Sequence, residues 1–517
     1  MFRKLLLLSL FFFNTAVSGQ DHRILDLDDH RYTHIQRLQE RGHLLDLNPT
    51  ALPYTYGEVA AAAESVDSNA LSPAERRWLS LILDDSKDSV PEDHVLLFGE
   101  AGGGLNLTNS KRLDVVRPVD DDLEAFQRLY VKAAAVRGRW VGQVGLVHDG
   151  YYDRDPDGLD SALRAQSRAE NGYLGFQMDP VAIYLGRFSN HWGTAAQNGL
   201  AVSNNARAYD QINLRFGGSK YSFRSFYAEL DAITGDGRFT GTAGADSVSS
   251  GLERRFLFAH RFDIRPNENL TLSIMESILI SGASTGFSLR FLNPFTAVGL
   301  ENDNVPKNDE NNALLGLMLW ARIGTTTIHS QVIMDDLDVL NLGSERTSVA
   351  GTAYLRHAFR ARPLDIGLSS TVVASRTYNT HQPEGQYVYL LRGLALQYND
   401  FAHISAELNW FADSVLPGLV VSPRLHLLKQ GEQRITATFP KSGDNVETLL
   451  SGIVETTRRA SLVVEFQPNR YWWISVDAGM NSVGNAGHIE GATDSRFSGL
   501  MSFGIRIPIR GSDVLDL

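Results

Sequence analysis

From about Pro91 onward the chain repeats one pattern: apolar and polar residues alternate over roughly ten positions, break at a turn and resume. In Ala402 to Phe411, Ala402, Ile404, Ala406, Leu408 and Trp410 share one side, and His403, Ser405, Glu407 and Asn409 share the other. In Trp472 to Met480 the set Trp472, Ile474, Val476, Ala478 and Met480 opposes Trp473, Ser475, Asp477 and Gly479. The last segment sets Phe497, Met501, Phe503, Ile505, Ile507 and Ile509 against Ser498, Ser502, Gly504 and Arg506. Successive side chains of a strand point to opposite faces, so a period of two predicts strands with one greasy and one wet face.

The breaks between strands are of two kinds. Short ones fall at Asp179-Pro180, Gly217-Gly218-Ser219, Pro266-Asn267-Glu268 and Asn469. Long polar ones cover roughly Tyr151 to Glu170, Asn190 to Ala206, Thr234 to Gly251, Ser281 to Asn311 and Met480 to Asp494. An outer-membrane barrel needs this alternation, with tight turns in the periplasm and long loops outside. The pattern predicts a mainly β protein: a transmembrane antiparallel β-barrel over residues 91–517, with about 18 to 20 strands, an even number nearest 18, each of roughly 9 to 13 residues. Aromatic residues gather at strand ends, at Tyr151 and Tyr152, Phe223, Phe226 and Tyr227, Phe291 and Phe295, and Tyr471 to Trp473, where a barrel carries its interfacial girdles. Composition agrees: 45 Gly, 25 Phe, 17 Tyr and 7 Trp accompany only 17 Pro. The mean hydropathy of −0.17 suits strands that are only half apolar. A soluble secreted β-protein, with its apolar faces turned inward, is the structural alternative.

Ahead of Pro91 the period is helical. Tyr32 to Arg41 ends at Gly42; Thr55 with Glu58 forms a capping box before Val59 to Ala63; Ser72-Pro73-Ala74-Glu75 adds a second box before Trp78, Leu79, Leu81 and Ile82. Residues 20–90 are therefore expected to form a small periplasmic helical bundle. Residues 1–19 read as a signal peptide: Arg3 and Lys4, the apolar run Leu5 to Phe13, then Ala16-Val17-Ser18. With 0 Cys there is no disulfide scaffold and no lipid-modified cysteine. Loss of Arg3 and Lys4 takes the net charge from −12 to −14, which argues against nucleic acid as a partner.

No catalytic constellation stands out, so neither enzyme activity, a cofactor nor a metal is expected. His260, beside Arg261 and near Asp263, reads as a lumen-facing polar residue, and Gly102-Gly103-Gly104 continues a strand. Asp153, Asp155 and Asp157 with Gly158 resemble half of a calcium loop, but its twelfth position is Arg164, so a solvated acidic loop is the simpler reading. Asp335-Asp336 ends a strand, either as a cap or as a cation or sugar-hydroxyl acceptor.

Gly186 to Gln211 is different, because it spends far more residues than a hairpin turn needs. Arg187, Asn190, Trp192, Asn204, Asn205 and Arg207 combine a flat aromatic face with planar amides and guanidinium groups. Sugars are recognised by such faces against their C–H surfaces and by paired hydrogen bonds to their hydroxyls and carboxylates. The other reading is a self-bonded loop, for which Asn and Gly are also favoured.

Arg187-Phe188-Ser189-Asn190-His191-Trp192-Gly193 followed by Leu200-Ala201-Val202-Ser203-Asn204-Asn205-Ala206-Arg207 resembles the pattern of the Wzi capsule-assembly family. The resemblance extends to His260 through Pro266, Glu276, Leu292-Asn293-Pro294-Phe295, Gln331 and Asp335-Asp336. It implies an outer-membrane lectin, not an enzyme, that binds capsular or related surface polysaccharide and helps hold it at the cell surface. Asn190, Trp192, Ser203, Asn204, Asn205 and Arg207, with Arg187, become candidate glycan-binding or lumen-network residues. The implied setting is the outer membrane of a Gram-negative-type bacterium, with lipid and lipopolysaccharide around a monomer inserted by the barrel assembly machinery. The alternative function is a porin or substrate-selective channel whose lumen arginines, such as Arg215, Arg224 and Arg506, would select anions.

Overall fold

The computed structural model describes residues 21–83, 95–119, 122–152, 154–158, 167–234, 252–282, 285–286, 288–293, 296–297, 311–335, 348–359, 362–438 and 447–510. The expected signal peptide and Asp153, Arg164, Pro294, Phe295 and Asp336 lie outside them. Eighteen strands form one closed antiparallel barrel, as the alternation predicts. In chain order they are β1 (Leu96–Thr108), β2 (Glu124–Arg137), β3 (Trp140–Asp149), β4 (Gly172–Met178), β5 (Val181–Phe188), β6 (Tyr209–Gly217), β7 (Tyr221–Glu229), β8 (Leu252–Asn267) and β9 (Leu270–Gly282). The second half comprises β10 (Asn312–Ile323), β11 (Thr326–Asp335), β12 (Ser348–Ala358), β13 (Leu364–Val373), β14 (Phe401–Phe411), β15 (Leu419–Gln430), β16 (Glu455–Phe466), β17 (Trp472–Gly484) and β18 (Thr493–Arg510). Each strand pairs with the next, and β18 closes on β1 with Phe503 opposite Leu105. Closure leaves no unpaired edge, the condition for a sheet to sit in lipid.

The greasy set of each strand faces outward. Ile404, Ile505, Ile507 and Ile509 are exposed on the outer wall, whereas His403, Glu407 and Asn409 line the interior. One end carries tight turns, such as the link after β2 in which Gly138 takes φ 52°, a conformation costly for a residue with a Cβ. The other end carries the long connections. One of these is shorter than expected, because β17 runs on to Gly484 and a single turn at Ala486–His488 precedes β18.

Three helices precede the barrel: α1 (Arg31–Arg41), α2 (Tyr56–Glu64) and α3 (Pro73–Leu83). Their ends are set by the residues the sequence singles out. Gly42 adopts φ 96° after α1 and donates to the carbonyls of Leu38 and Gln39. Thr55 accepts from the Glu58 N–H at 3.1 Å while Glu58 accepts from the Thr55 N–H at 2.6 Å. Ser72 and Glu75 repeat the arrangement ahead of α3. The helices plug the turn end of the lumen. Ile35, Leu38, Leu52, Tyr54, Trp78 and Ile82 form a core that includes Phe411 of β14 and Val420 of β15. Polar contacts tie α1 to the wall: His34 to Gln467 at 2.9 Å, Arg37 to Glu465 at 2.9 Å, and Arg41 to Asp365.

Two connections from the loop end fold back into the barrel, 189–208 and 374–400. His191–Trp192 pairs antiparallel with Ala51–Leu52 of the helical segment. Trp192, Leu200, Ala201, Val202, Tyr378, Tyr387 and Leu394 then share one core with inward-facing Phe226, Met275, Met318 and Ile333 of the wall. Phe226 is thus core, not girdle. Tyr151 and Tyr152 also turn inward: the first is buried against Phe126 and the second lies under the Arg207 guanidinium. His260 is a second correction. Arg261 reaches inward to Thr50, so its neighbour His260 points out, where it contacts Glu276 at 3.0 Å and Phe223. It is buried there because the outer wall at this height is covered by a cluster that includes Phe256, Phe258, Ile278 and Phe291.

Candidate functional site

Between the plug and the inner wall of β12 to β16 lies a cavity of about 690 Å³. Its floor is α1, which contributes Gln36 and Arg37. Its wall carries Arg356, Glu407, Arg424, His403 and His426, all from the wet faces of alternating strands. Arg356 bonds Glu407 and lies 3.4 Å from Glu40 of α1, while Arg424 lies 3.4 Å from Glu407. The two imidazoles stack, with Nε2 of His403 3.2 Å from Nδ1 of His426.

The chamber extends to the loop end, where four connections converge. Arg112 grips Asp157 with two hydrogen bonds of 2.8 and 2.7 Å, and the Tyr398 hydroxyl donates to the same carboxylate at 2.8 Å. Arg392 approaches Asp155 and Asp157 at 3.5 and 3.8 Å. The Arg117 guanidinium lies 4.3 Å from the centre of the Tyr398 ring. Burial and the neighbouring Asp157 push the Tyr398 hydroxyl far above its ordinary range, so it stays a donor. Burial alone would raise Asp114, but Arg117 overcomes it and holds that carboxyl low. Six arginines and four carboxylates line the chamber, with Glu40 and Asp155 directly behind Arg356 and Arg392. Forked guanidinium donors, amides and tyrosine faces in one polar space suit a polyhydroxylated, acidic ligand.

The residues singled out by sequence mostly contact the wall and the neighbouring connections, and Trp192 alone of them pairs with the helical segment. Arg187 pairs with Asp210 at the rim and donates to the Ala169 carbonyl at 2.9 Å. Asn190 donates to Gln211 at 2.6 Å and accepts from Asn213 at 3.0 Å. Trp192 is 1 % exposed and meets Phe226 edge-on, with ring centres 5.7 Å apart. Ser203 bonds the Ala395 carbonyl, and Asn204 lies beside His191. Arg207 is buried between Glu170, at 2.9 Å, and the Tyr152 ring, 3.7 Å away. Asn205, of this set, lines the chamber, held by Gly393 O at 2.8 Å and Gln397 at 3.0 Å. Asp335 accepts the Tyr378 N–H. Asp155 and Asp157 face arginines, and among the described residues no cluster of metal-ligating side chains occurs.

Sequence reasoning passed over Arg112, Arg117, Arg392, Gln397 and Tyr398, and read Tyr151 as a girdle aromatic where it lines the chamber. The signal was segment 374–400, as long as the loops that drew notice and carrying Tyr378, Tyr387, Tyr389 and Tyr398.

A closed 18-strand barrel with an apolar outer wall and a filled lumen defines an outer-membrane β-barrel protein. The profile of the capsule assembly protein Wzi family matches residues 123–389, and the chain belongs to that family. Among solved structures it is similar to Wzi of Escherichia coli, an outer membrane protein involved in group 1 capsule assembly and described as a carbohydrate-binding β-barrel. The TM-score is 0.63 at 13% identity, over 94% of this chain and 99% of that one. OccD3 (OpdP) of Pseudomonas aeruginosa gives a TM-score of 0.44 at 10% identity, over 80% of this chain and 91% of that one. OprD of the same organism gives 0.44 at 8% identity, over 80% and 95%. No curated protein sequence matches the chain.

Proposed function

We propose that this protein is an outer-membrane lectin that binds an acidic surface polysaccharide at the loop end of its lumen chamber and helps hold it at the cell surface. The observation that carries the reading is the convergence of Arg112, Arg117, Arg392, Asp157 and Tyr398 at the mouth of a chamber closed below by α1. Guanidinium forks and Asp157 engage carboxylates and hydroxyls, and tyrosine rings stack on pyranose C–H faces. Family membership and the carbohydrate-binding description of the Escherichia coli protein support it. In this reading the tight turns and the helical unit of residues 20–90 face the periplasm, as the turn and loop asymmetry of such barrels requires. Residues 91–517 form the barrel, a monomer in lipid and lipopolysaccharide, placed there by the barrel assembly machinery. Arg187, Asn190, Trp192, Ser203, Asn204 and Arg207 serve as a lumen network that fixes the plug, and Asn205 reaches the ligand side.

The test is glycan-array and calorimetric binding by the purified full chain. Arg112→Ala with Tyr398→Ala is expected to weaken the best-bound acidic glycan about tenfold or more, since charged hydrogen bonds contribute roughly 1.5–3 kcal/mol. Unchanged affinity in that double variant would end the assignment. The channel reading makes the opposite forecast in planar bilayers: a plugged lumen conducts poorly, and steady large conductance would favour the porin.

A further inference from the structure

A second cavity, of about 530 Å³, lies at the turn end between α2 and the wall strands β5 to β7. Arg215, Arg224 and Arg265 line it. Arg224 sits directly opposite Arg215 on one side and Arg261 on the other, so three adjacent strands carry a row of arginines across the inner wall. Like charges opposite one another in a sheet are destabilising unless something neutralises them. Arg261 has Asp263 at 2.7 Å, together with Thr50 and Ser273. Among the described residues the other two have no such hydrogen-bonded carboxylate. Arg215 is 9 % exposed, yet among the described residues none of its three nitrogens finds a hydrogen-bond acceptor. The Tyr184 ring lies 5.2 Å from its guanidinium. Arg224 has one long contact, 3.4 Å to the Pro53 carbonyl. Arg265 uses both terminal nitrogens on the carbonyls of Leu45 and Asp46, and its Nε has no acceptor. Of the carboxylates that line the cavity, Asp46 and Asp179 are exposed, and Glu58, within electrostatic reach of Arg224, gives one oxygen to the Thr55 N–H at 2.6 Å; among the described residues none of the three hydrogen-bonds Arg215 or Arg224.

We propose that this cavity is a binding site for a phosphoryl group, with Arg215 and Arg224 as its main ligands and Arg265 at its edge. Buried guanidinium groups without acceptors are costly, and a multiply charged tetrahedral oxyanion offers enough oxygens to satisfy two forks from different strands, where one carboxylate satisfies one. The volume leaves room for the sugar or glycerol that carries the phosphoryl. The site lies at the opposite end of the barrel from the mouth of the glycan chamber, shares no lining residue with that chamber and does not depend on it.

The experiment measures calorimetric binding and thermal shift of the purified full chain in nonionic detergent with three probes. These are inorganic phosphate, glucose 1-phosphate, and micelles doped with phosphatidic acid against diacylglycerol. Binding of the first two assigns a soluble phosphate ester, and binding of the doped micelles alone assigns a lipid headgroup. Arg215→Met is expected to weaken binding about tenfold to a hundredfold, and Arg215→Lys, which keeps charge without the fork, less. Without phosphate, Arg215→Met is expected to be at least as heat-stable as the native chain, which separates a ligand role from a structural one. If Arg215→Met does not fold, Arg224→Met takes its place. No binding of any probe by the native chain, or equal binding by the native chain and Arg215→Met/Arg224→Met, overturns the proposal.

Discussion

Replacing Arg261 by methionine strikes the joint between plug and wall. The side chain is fully buried and donates to Asp263 at 2.7 Å, to the Thr50 carbonyl, to the Thr50 hydroxyl at 2.6 Å and to Ser273 at 3.0 Å. Thr50 immediately precedes Ala51–Leu52, the strand that pairs with His191–Trp192. Methionine keeps most of the volume but leaves Asp263 charged and buried, with, among the described residues, only Asn48, Ser222 and Ser273 donating to it. Breaking a buried pair from one side costs about 3–5 kcal/mol. That cost falls on docking of the plug, because the barrel's own hydrogen-bond ladder is untouched. The undocked population should rise about a hundredfold to several thousandfold. Limited proteolysis of residues 43–50 reads that population when reclosing is fast relative to cleavage. Heat-modifiable electrophoretic mobility verifies that the barrel stays closed. Arg261→Met/Asp263→Leu, which removes both charges, should recover much of the loss. A cleavage rate for Arg261→Met within about twofold of native would refute the reasoning, since it would mean that the Arg261–Thr50 contacts do not hold the plug.

Trp192→Ala removes a ring that is 1 % exposed, so it should lower stability by about 3–5 kcal/mol in denaturant titration while Trp192→Phe costs less. Any loss of glycan affinity in Trp192→Ala should follow that instability; a full-stability variant with lost binding would place the ring in the site instead. His34, buried in α1 and bonded to Gln467, has its pKa pushed down to about 3 by burial first and by Arg37 next. The unfolded value is near 6.5, so the undocked chain takes up the proton first. Docking is unaffected above about pH 6.5 and weakens by about 1.4 kcal/mol per unit as pH falls toward 3. Glu40, raised by burial, titrates in the opposite sense, so the native minus His34→Gln difference in melting temperature isolates the histidine; a pH-independent difference would contradict it. At the chamber mouth, Tyr398→Phe keeps the ring and loses the bond to Asp157, and should retain more glycan affinity than Tyr398→Ala in the same calorimetric assay.

Much of the barrel was legible because its determinants are local. Alternation in Ala402 to Phe411 assigns Ile404 to lipid and Glu407 to the lumen, and the caps Gly42, Thr55 with Glu58, and Ser72 with Glu75 mark the helix ends. Where both faces of a strand are covered, the alternation loses its meaning. Phe256 to Phe262 is the case: Phe256 and Phe258 pack outside beneath Phe291, while Leu257 and Ala259 pack inside against the infolded connections, so the polar character of His260 assigned it to the wrong side.

The sequence by itself determined that this chain makes a closed membrane barrel with a helical head, since a period of two, turn length and capping each act over a few residues. Only the tertiary structure decided that 189–208 and 374–400 turn inward. That direction rests on contacts between residues far apart in the chain, Ala51 with Trp192 and Ser203 with Ala395, whose gain exists only after closure has brought them together. For the same reason Arg112, Asp157 and Tyr398 become one site, and Arg215 and Arg224 another: each is unremarkable along the strand or loop that bears it, and acquires its chemistry from what the closed wall sets opposite it.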